Sequence, residues 1–455
     1  MYVKDNNILL IGLAKTGVST IKHLDKLEAK VIVNDRKTKE ELNEILNELN
    51  DIKNVSYILG TSPTNFEDID LVVVSPGVPL DLPFIEQIKE KNIPIIGEVE
   101  LAYRLSTNHP TFIGITGTNG KTTTTTLVGE IFKRAQEDTY IVGNIGNPVI
   151  DTVDETTEES VLVTELSSFQ LESIEEFRPS VSAVLNITED HLNRHHTMKN
   201  YIDAKSRIFM NQNSSDFCIL NYDNEYTRNL AQKCGANVIF FSTTEMLEKG
   251  AYLDEENNII INLDLDQEIT LMNADEVSLP GPHNLENCIA AALIAYVSNI
   301  DIDTIKNVLS TFSGVSHRQE FVRELNGVSF INDSKGTNPD STIKAVQSYK
   351  DPIILIAGGM DKGSDFNELL DIAKDRVRSL VLLGETADKI YMCAKEKGYK
   401  SIYKVENMEE AVNTSFEIAN CADVVLLSPA CASWDMYKSF EVRGEDFKEN
   451  VNNLK

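Results

Sequence analysis

No two of the six cysteines (Cys218, Cys234, Cys288, Cys393, Cys421 and Cys431) form a C-x-x-C pair. This spacing argues against a disulfide framework or a zinc ribbon and for reduced, mostly buried thiols. Long apolar runs are missing too, and none approaches the length that crosses a bilayer. Met1 is followed by YVKDNNILLIG, with neither a charged segment before a long apolar one nor a small-residue cleavage site, so no signal peptide is expected. Basic residues are scarce, 42 against 71 acidic ones, and the net charge of −29 disfavours nucleic acid and anionic membranes as partners. Low-complexity tracts and short repeats are also lacking. These absences leave a cytoplasmic protein acting on small molecules, with nothing against a monomer.

At 455 residues, with 42% hydrophobic and 25% charged residues, the chain has the size and composition of a globular protein of several domains. Short apolar runs alternate with helical stretches in three blocks, the pattern of parallel sheets covered by helices. The first block holds NILLIG, AKVIVNDRK, IDLVVVSPGVP and NIPIIGE. The second holds TFIGITGTNGKT, SVLVTELSS, VSAVLNITEDH, FCILNYDN and ANVIFFS, then an alternating stretch over 251–280 that suggests small antiparallel hairpins. VSFIND, PIILIAGG, SLVLLGE and DVVLLSPA make up the third. The expectation is three consecutive α/β domains over 1–97, 98–314 and 315–455: Rossmann-like, P-loop ATPase-like and Rossmann-like.

GITGTNGKTTTTT, residues 114–126, carries the chemistry of a phosphate-binding loop. Gly117 and Gly120 permit positive φ and close approach of a phosphate, and the amides from Gly117 through Thr123 (Thr118, Asn119, Lys121 and Thr122 between) are expected to face it. Lys121 supplies a point charge for the β- and γ-phosphates, Thr122 a hydroxyl for Mg²⁺, and the following helix its N-terminal dipole. Ile115 stands where a strict G-x-x-x-x-G-K-[ST] match has glycine. The threonine run accepts a helix-propensity cost of up to roughly 0.7 kcal/mol per residue. Such a loop serves a switch, a motor, a kinase or a ligase equally well.

Neighbouring runs narrow the choice. Glu165 in VTELSSFQL ends a strand, either as a solvated acid or as a second ligand beside Thr122. His191 and His195 in NITEDHLNRHH have the i, i+4 spacing of a zinc pair, without a third strong ligand. Lys205 in YIDAKSRIF reads, by itself, as a surface lysine. In the first block GLAKTG is G-x-A-x-x-G after a strand, with Asp35 ending the next strand, so a nicotinamide oxidoreductase is a competing class.

Taken in order, GITGTNGKTT, TELSSFQL, NITEDHLNRH, AKSRIF, PGPHNLENCIAA, SHRQE and INDSKGTN resemble the Mur ligases of bacterial peptidoglycan synthesis across nearly the whole chain. Their loop has the form T-G-T-N-G-K-[ST], which accommodates Ile115. Within that family, GLAKTGVS and LLSPACASWDMYKSFEVRGEDF resemble the D-glutamate-adding branch, and the D-N-P-R motif of the diaminopimelate-adding branch does not occur. Asn193 departs from the aspartate common in the family's DHLDRH pattern.

The resemblance implies an ATP- and Mg²⁺-dependent amide ligase that joins D-glutamate to UDP-N-acetylmuramoyl-L-alanine through an acyl phosphate. It gives Lys121, His191, Lys205 and Lys335 catalytic roles. It implies two Mg²⁺ positions held by Thr122, Glu165, His191 and Lys205, the last as a CO₂-derived carbamate. Asn284 and Asn287 are expected on the adenine side, and Arg318, Asp333 and Lys335 over the ribose and phosphates. GLAKTG becomes a diphosphate loop for the UDP-substrate through Ala14, Lys15 and Thr16. Asp35 and either Arg36 or Lys37 are then expected near the uracil, Ser75 in the adjoining turn and Asn144 near the muramoyl group. Thr337, Lys362, Ser433 and Phe440 are implied for D-glutamate. Another family ligase with a different acceptor, an NTPase switch and the oxidoreductase remain as alternatives.

Overall fold

The computed structural model describes residues 1–264, 267–361 and 363–455. Among these the chain forms two compact units, residues 1–276 with 286–308, and residues 277–285 with 309–455. No helix of the described residues is long and apolar enough to cross a membrane.

The first unit contains two sheets. Strands β1 (Asn7–Ile11), β2 (Lys30–Asp35), β3 (Val55–Leu59), β4 (Leu71–Val74) and β5 (Ile95–Gly97) form a parallel sheet ordered β3-β2-β1-β4-β5. Its strands are apolar on both faces because both faces are covered. Leu10, Val31, Val33 and Val73 enter one core, whereas Leu9, Ile11, Val72 and Val74 enter another.

The second sheet is built from β6 (Thr111–Thr116), β7 (Thr139–Gly143), β8 (Val161–Glu165), β9 (Val181–Val184), β10 (Phe217–Asn221), β11 (Asn237–Phe241), β12 (Gly250–Leu253), β13 (Asn258–Asp264) and β14 (Gln267–Asn273). Its order is β14-β13-β12-β11-β10-β9-β6-β8-β7. Ile115, at the glycine position of a strict phosphate-loop match, is fully buried on β6, so the side chain belongs to the core. The expected antiparallel hairpins around 251–280 are present, but they do not stand apart. Phe240 and Phe241 pair in parallel with Gly250 and Ala251, and β13 and β14 then extend the same sheet antiparallel.

Between the two sheets of this unit sits a buried carboxyl. Glu98 is 2% exposed, opens the helix Glu98–Leu105 and accepts from Ile150 N at 2.7 Å. Burial pushes its pKa up to about 7, against the bonds from the Ile150 and Val149 amides. A carboxyl whose pKa is raised on folding favours folding while protonated. Its ionisation therefore costs stability progressively from the unfolded value of 4.5 up to about 7. Glu98→Gln should consequently raise the unfolding free energy at pH 8 by on the order of 3 kcal/mol, seen as a higher urea midpoint, and leave it nearly unchanged at pH 4.5. Far-UV circular dichroism at the two pH values measures this, and an equal shift at both would contradict it.

The second unit carries β15 (Glu320–Leu325), β16 (Val328–Asn332), β17 (Ile353–Ala357), β18 (Val377–Leu382), β19 (Ile402–Lys404) and β20 (Val424–Leu427). The order is β15-β16-β20-β17-β18-β19, parallel except for β15 against β16. Ile353, Leu355 and Leu426 pack on one face, Ile354, Ile356 and Leu427 on the other.

Candidate active site

The loop after β6 delivers its chain to the helix Lys121–Arg134 through Gly120, at φ +82°. A Cβ there would lie 2.2 Å from Asn287 Oδ1, so both conformation and space demand glycine. Gly117 was expected to use positive φ. It does not, and an added Cβ there would make a tight contact, 3.1 Å from Leu185 Cβ. The amides of Thr118 and Asn119 donate to Asn186 O and Oδ1, both at 2.9 Å, and Asn186 Nδ2 returns a bond to Asn119 O. Thr118 and Asn119 therefore anchor the loop, and the phosphate-facing part shifts toward Gly120 and the first turn of the helix. No side chain caps that helix, whereas Ser167, Thr197, Asn224 and Ser439 cap theirs. Thr122 and Thr123 are buried in its first turn, and Thr123 Oγ1 has no hydrogen-bond partner.

Two lysines meet at one carbonyl. Lys121 Nζ donates to Gly117 O at 3.0 Å and to Thr118 O at 2.9 Å, and Lys205 Nζ donates to Gly117 O at 2.7 Å. Lys205 is no surface lysine. It is 1% exposed, with its amine 4.8 Å from the centre of the Tyr201 ring. The burying residue, Tyr201, holds Thr118 Oγ1 through its hydroxyl at 3.0 Å. Burial, reinforced by the nearby Lys121 charge, holds the Lys205 pKa well below the ordinary lysine value.

Glu165, at the end of β8, is likewise buried rather than solvated. Its Oε1 accepts from Asn144 Nδ2 at 2.8 Å, and its Oε2 is buried without a hydrogen-bond partner. An orphaned carboxylate oxygen on a group whose charge acts on Lys205 suits a hard cation, which prefers oxygen donors. Among the described residues no three His, Cys, Asp or Glu side chains converge on a metal. A cation here would draw on Thr122 and a modified Lys205 besides Glu165. His191 sits at φ +53° before the short helix Leu192–His195, its ring packed on Phe169. His195 does not join it as a zinc pair, because both its nitrogens are engaged with Ser168 and Glu172.

At the first sheet, the helix Lys15–Lys26 starts directly after the glycine loop with Ala14 as an uncapped N-cap. Ser75 Oγ bonds Gly12 O at 3.0 Å and ties the loops after β1 and β4 together. Lys15 Nζ donates to Gly146 O, Thr16 O accepts from Thr20 Oγ1, and Arg36 and Lys37 are exposed. Asp35, expected near a uracil, spends its oxygens on the amides of Leu13 and Lys37 at 2.7 and 2.8 Å.

In the second unit, Asp333 is buried, accepts from Ser428 Oγ at 2.6 Å and has its pKa pushed up to about 6 by that burial. Arg318 Nε is buried without a partner, and Lys335 Nζ lies 5.5 Å from the centre of the Phe440 ring. The Thr337 amide donates to Lys335 O, and Ser433 is 2% exposed beside the exposed Trp434. Asn284 bonds back to Pro280 O, while Asn287 belongs to the first unit at the phosphate loop. Lys362 lies outside the described residues. Asn186 and Tyr201 were not foreseen. A polar residue directly after an apolar strand was the available signal for Asn186, and Tyr201 had none.

These sheets and loops define a three-domain ligase class, and the chain belongs to the Mur ligase family. It matches the MurD-like N-terminal domain over residues 6–97, the Mur ligase middle domain over 115–295 and the glutamate ligase domain over 317–431. It is 68% identical over 455 residues, all of both chains, to the UDP-N-acetylmuramoylalanine--D-glutamate ligase of Clostridioides difficile (strain 630). Identity to the enzyme of the same name from Alkaliphilus oremlandii (strain OhILAs) is 50%, again over all of both chains. Among solved structures it shares its fold with the UDP-N-acetylmuramate-alanine ligase MurC of Thermotoga maritima (TM-score 0.61, 20% identity, 99% of this chain and 100% of that one). The ADP complex of Thermotoga maritima MurF ligase is similar as well (TM-score 0.60, 17% identity, 93% and 95% covered). The G-x-A-x-x-G loop thus lies in a Mur ligase N-terminal domain, which removes the oxidoreductase reading.

Proposed function

We propose that the chain is a monomeric, cytoplasmic, ATP-dependent amide ligase that joins D-glutamate to UDP-N-acetylmuramoyl-L-alanine. The domains are assigned as 1–97 for the UDP-substrate, 98–314 for ATP and 315–455 for the amino acid. Full-length identity of 68% to a ligase of that name supports the substrates. The observation that carries the chemistry is the convergence of Lys121 and Lys205 on Gly117 O, near Glu165.

A carboxylate is a poor electrophile, so the terminal carboxylate of the UDP-substrate first takes the γ-phosphoryl group of ATP and releases ADP. The amine of D-glutamate then attacks the acyl carbon, and phosphate leaves through a tetrahedral intermediate. Phosphoryl transfer asks a protein chiefly for positioning and charge neutralisation. Lys121 meets the charge on the β- and γ-phosphates, and Lys335, Arg318 and Asp333 serve the nucleotide from the C-terminal domain. Thr122, Glu165, His191 and the carbamate of Lys205 would hold two Mg²⁺ ions, which neutralise phosphate charge when bound. Two ammonium groups on one carbonyl repel each other, and burial favours the neutral amine of Lys205. Its lone pair then attacks the carbon of CO₂, forming an N–C bond with loss of a proton and turning a cation into an anion. Thr337, Lys362, Ser433 and Phe440 take D-glutamate, whose two carboxylates suit hydroxyl and ammonium partners.

The direct test is phosphate release from ATP with UDP-N-acetylmuramoyl-L-alanine, comparing D-glutamate, L-glutamate, D-aspartate, meso-diaminopimelate and no amino acid. Release should depend on D-glutamate and yield a new UDP-linked product. Release indifferent to the amino acid would favour an NTPase switch, and release with another amino acid would overturn the acceptor alone.

A further inference from the structure

Behind the His191 loop, inside the first unit, lies a buried polar bracket that the ligase chemistry does not use. Ser168 Oγ is 2.9 Å from His195 Nε2, and His195 Nδ1 is 3.2 Å from Glu172 Oε1. The other oxygen of Glu172 accepts from Arg194 Nη2 at 2.6 Å, and the same nitrogen donates to Val78 O at 2.8 Å. The guanidinium lies 5.3 Å from the centre of the Phe169 ring. That ring in turn packs on His191 at 4.9 Å and on His195 at 5.5 Å.

Ser–His–Glu in this order has the connectivity of a hydrolytic triad. Ser168 is 2% exposed and His195 3%, however, so no substrate carbonyl reaches the hydroxyl. Burial also lowers the basicity of His195, which favours a neutral ring that donates from Nδ1 to Glu172 and accepts at Nε2 from Ser168. The array is a support.

What it supports is given by its two ends. Val78 lies in the SPGVP turn after β4, three residues from Ser75, and His191 packs on Phe169. We infer that Arg194 is a positioning residue: one guanidinium, oriented by Glu172, fixes the Ser75–Pro79 turn and the His191 ring relative to each other. The UDP-substrate site and the second cation position are then set together. Arginine suits this task because its planar group lies over a ring while Nη2 donates to two acceptors, in a rigid fork that a flexible ammonium does not fix. The inference rests on the ligase reading.

The test uses the full-length enzyme with Arg194→Ala. A cavity of about 450 Å³ lined by Arg194, Glu172, His195 and Arg207 opens alongside, so free guanidinium ion can reach the gap. The Kd for the UDP-substrate, measured by calorimetry without ATP, and the Mg²⁺ concentration for half-maximal rate should each rise roughly tenfold, as for other residues that orient metal ligands. The KM for D-glutamate should hold, and millimolar guanidinium should recover several-fold of the lost kcat/KM. Arg194→Lys should behave like the alanine variant. Phe169→Leu, which loosens the stack and leaves the hydrogen bonds, should raise the Mg²⁺ requirement alone. Unchanged constants would overturn the inference, as would a parallel rise in all three without guanidinium rescue. A wild-type enzyme without D-glutamate-dependent phosphate release would overturn the ligase reading first, before any variant is made, and this inference with it.

Discussion

Lys121→Ala should lower D-glutamate-dependent phosphate release by about 10³-fold, a loss typical of removing a preorganised charge from a transition state. Lys121 is half-buried and its ammonium is held over the loop by Gly117 O and Thr118 O. Its charge is thus held at the loop before ATP arrives. The change removes little core packing, so an unaltered melting transition should accompany the loss. A second effect follows from geometry. The Lys121 charge helps to depress the Lys205 pKa, so the variant should make Lys205 more basic and its carbamate scarcer. Turnover within about tenfold of wild type would reject the phosphate-loop assignment.

Lys205→Ala should be nearly as damaging, again by about 10³-fold, because it removes the anion proposed to hold Mg²⁺. A formate or acetate ion can occupy the place of the carbamate and supply the same carboxylate oxygens. Short carboxylic acids should therefore restore part of the activity to Lys205→Ala and none to Lys121→Ala. Rescue of both, or of neither, would count against the carbamate. Transfer of label from ¹³C-bicarbonate to the wild-type chain, absent in Lys205→Ala, gives an independent readout.

The buried strands were legible because parallel strands covered on both faces write continuous apolar runs into the sequence, as in LVVV of β4 and IILIA of β17. Four strands escaped that reading: β3, β7, β15 and β19. Each lies at a sheet edge and is partly exposed, so its sequence carries no such run. Spacing pointed to the phosphate loop, whereas Glu165 and Lys205 were assigned to the site only through the family resemblance. It could not show that Lys205 is buried, because the ring that buries it arrives with the folded helix Met198–Ser206. Nor could it show that Asn186, 67 residues from Asn119, already takes up two loop amides. Asp35 makes the same point: its strand-end position was readable, its commitment to Leu13 and Lys37 was not.

The position of Trp434 has a spectroscopic consequence. It is the chain's only tryptophan, 63% exposed, and adjacent in sequence to buried Ser433. All indole emission therefore originates in the second unit. Excitation at the red edge of the indole band observes that unit without background from the fourteen tyrosines. Under the proposed assignment of Ser433 to the D-glutamate pocket, titration with D-glutamate should change this emission, in a wild-type chain carrying no label.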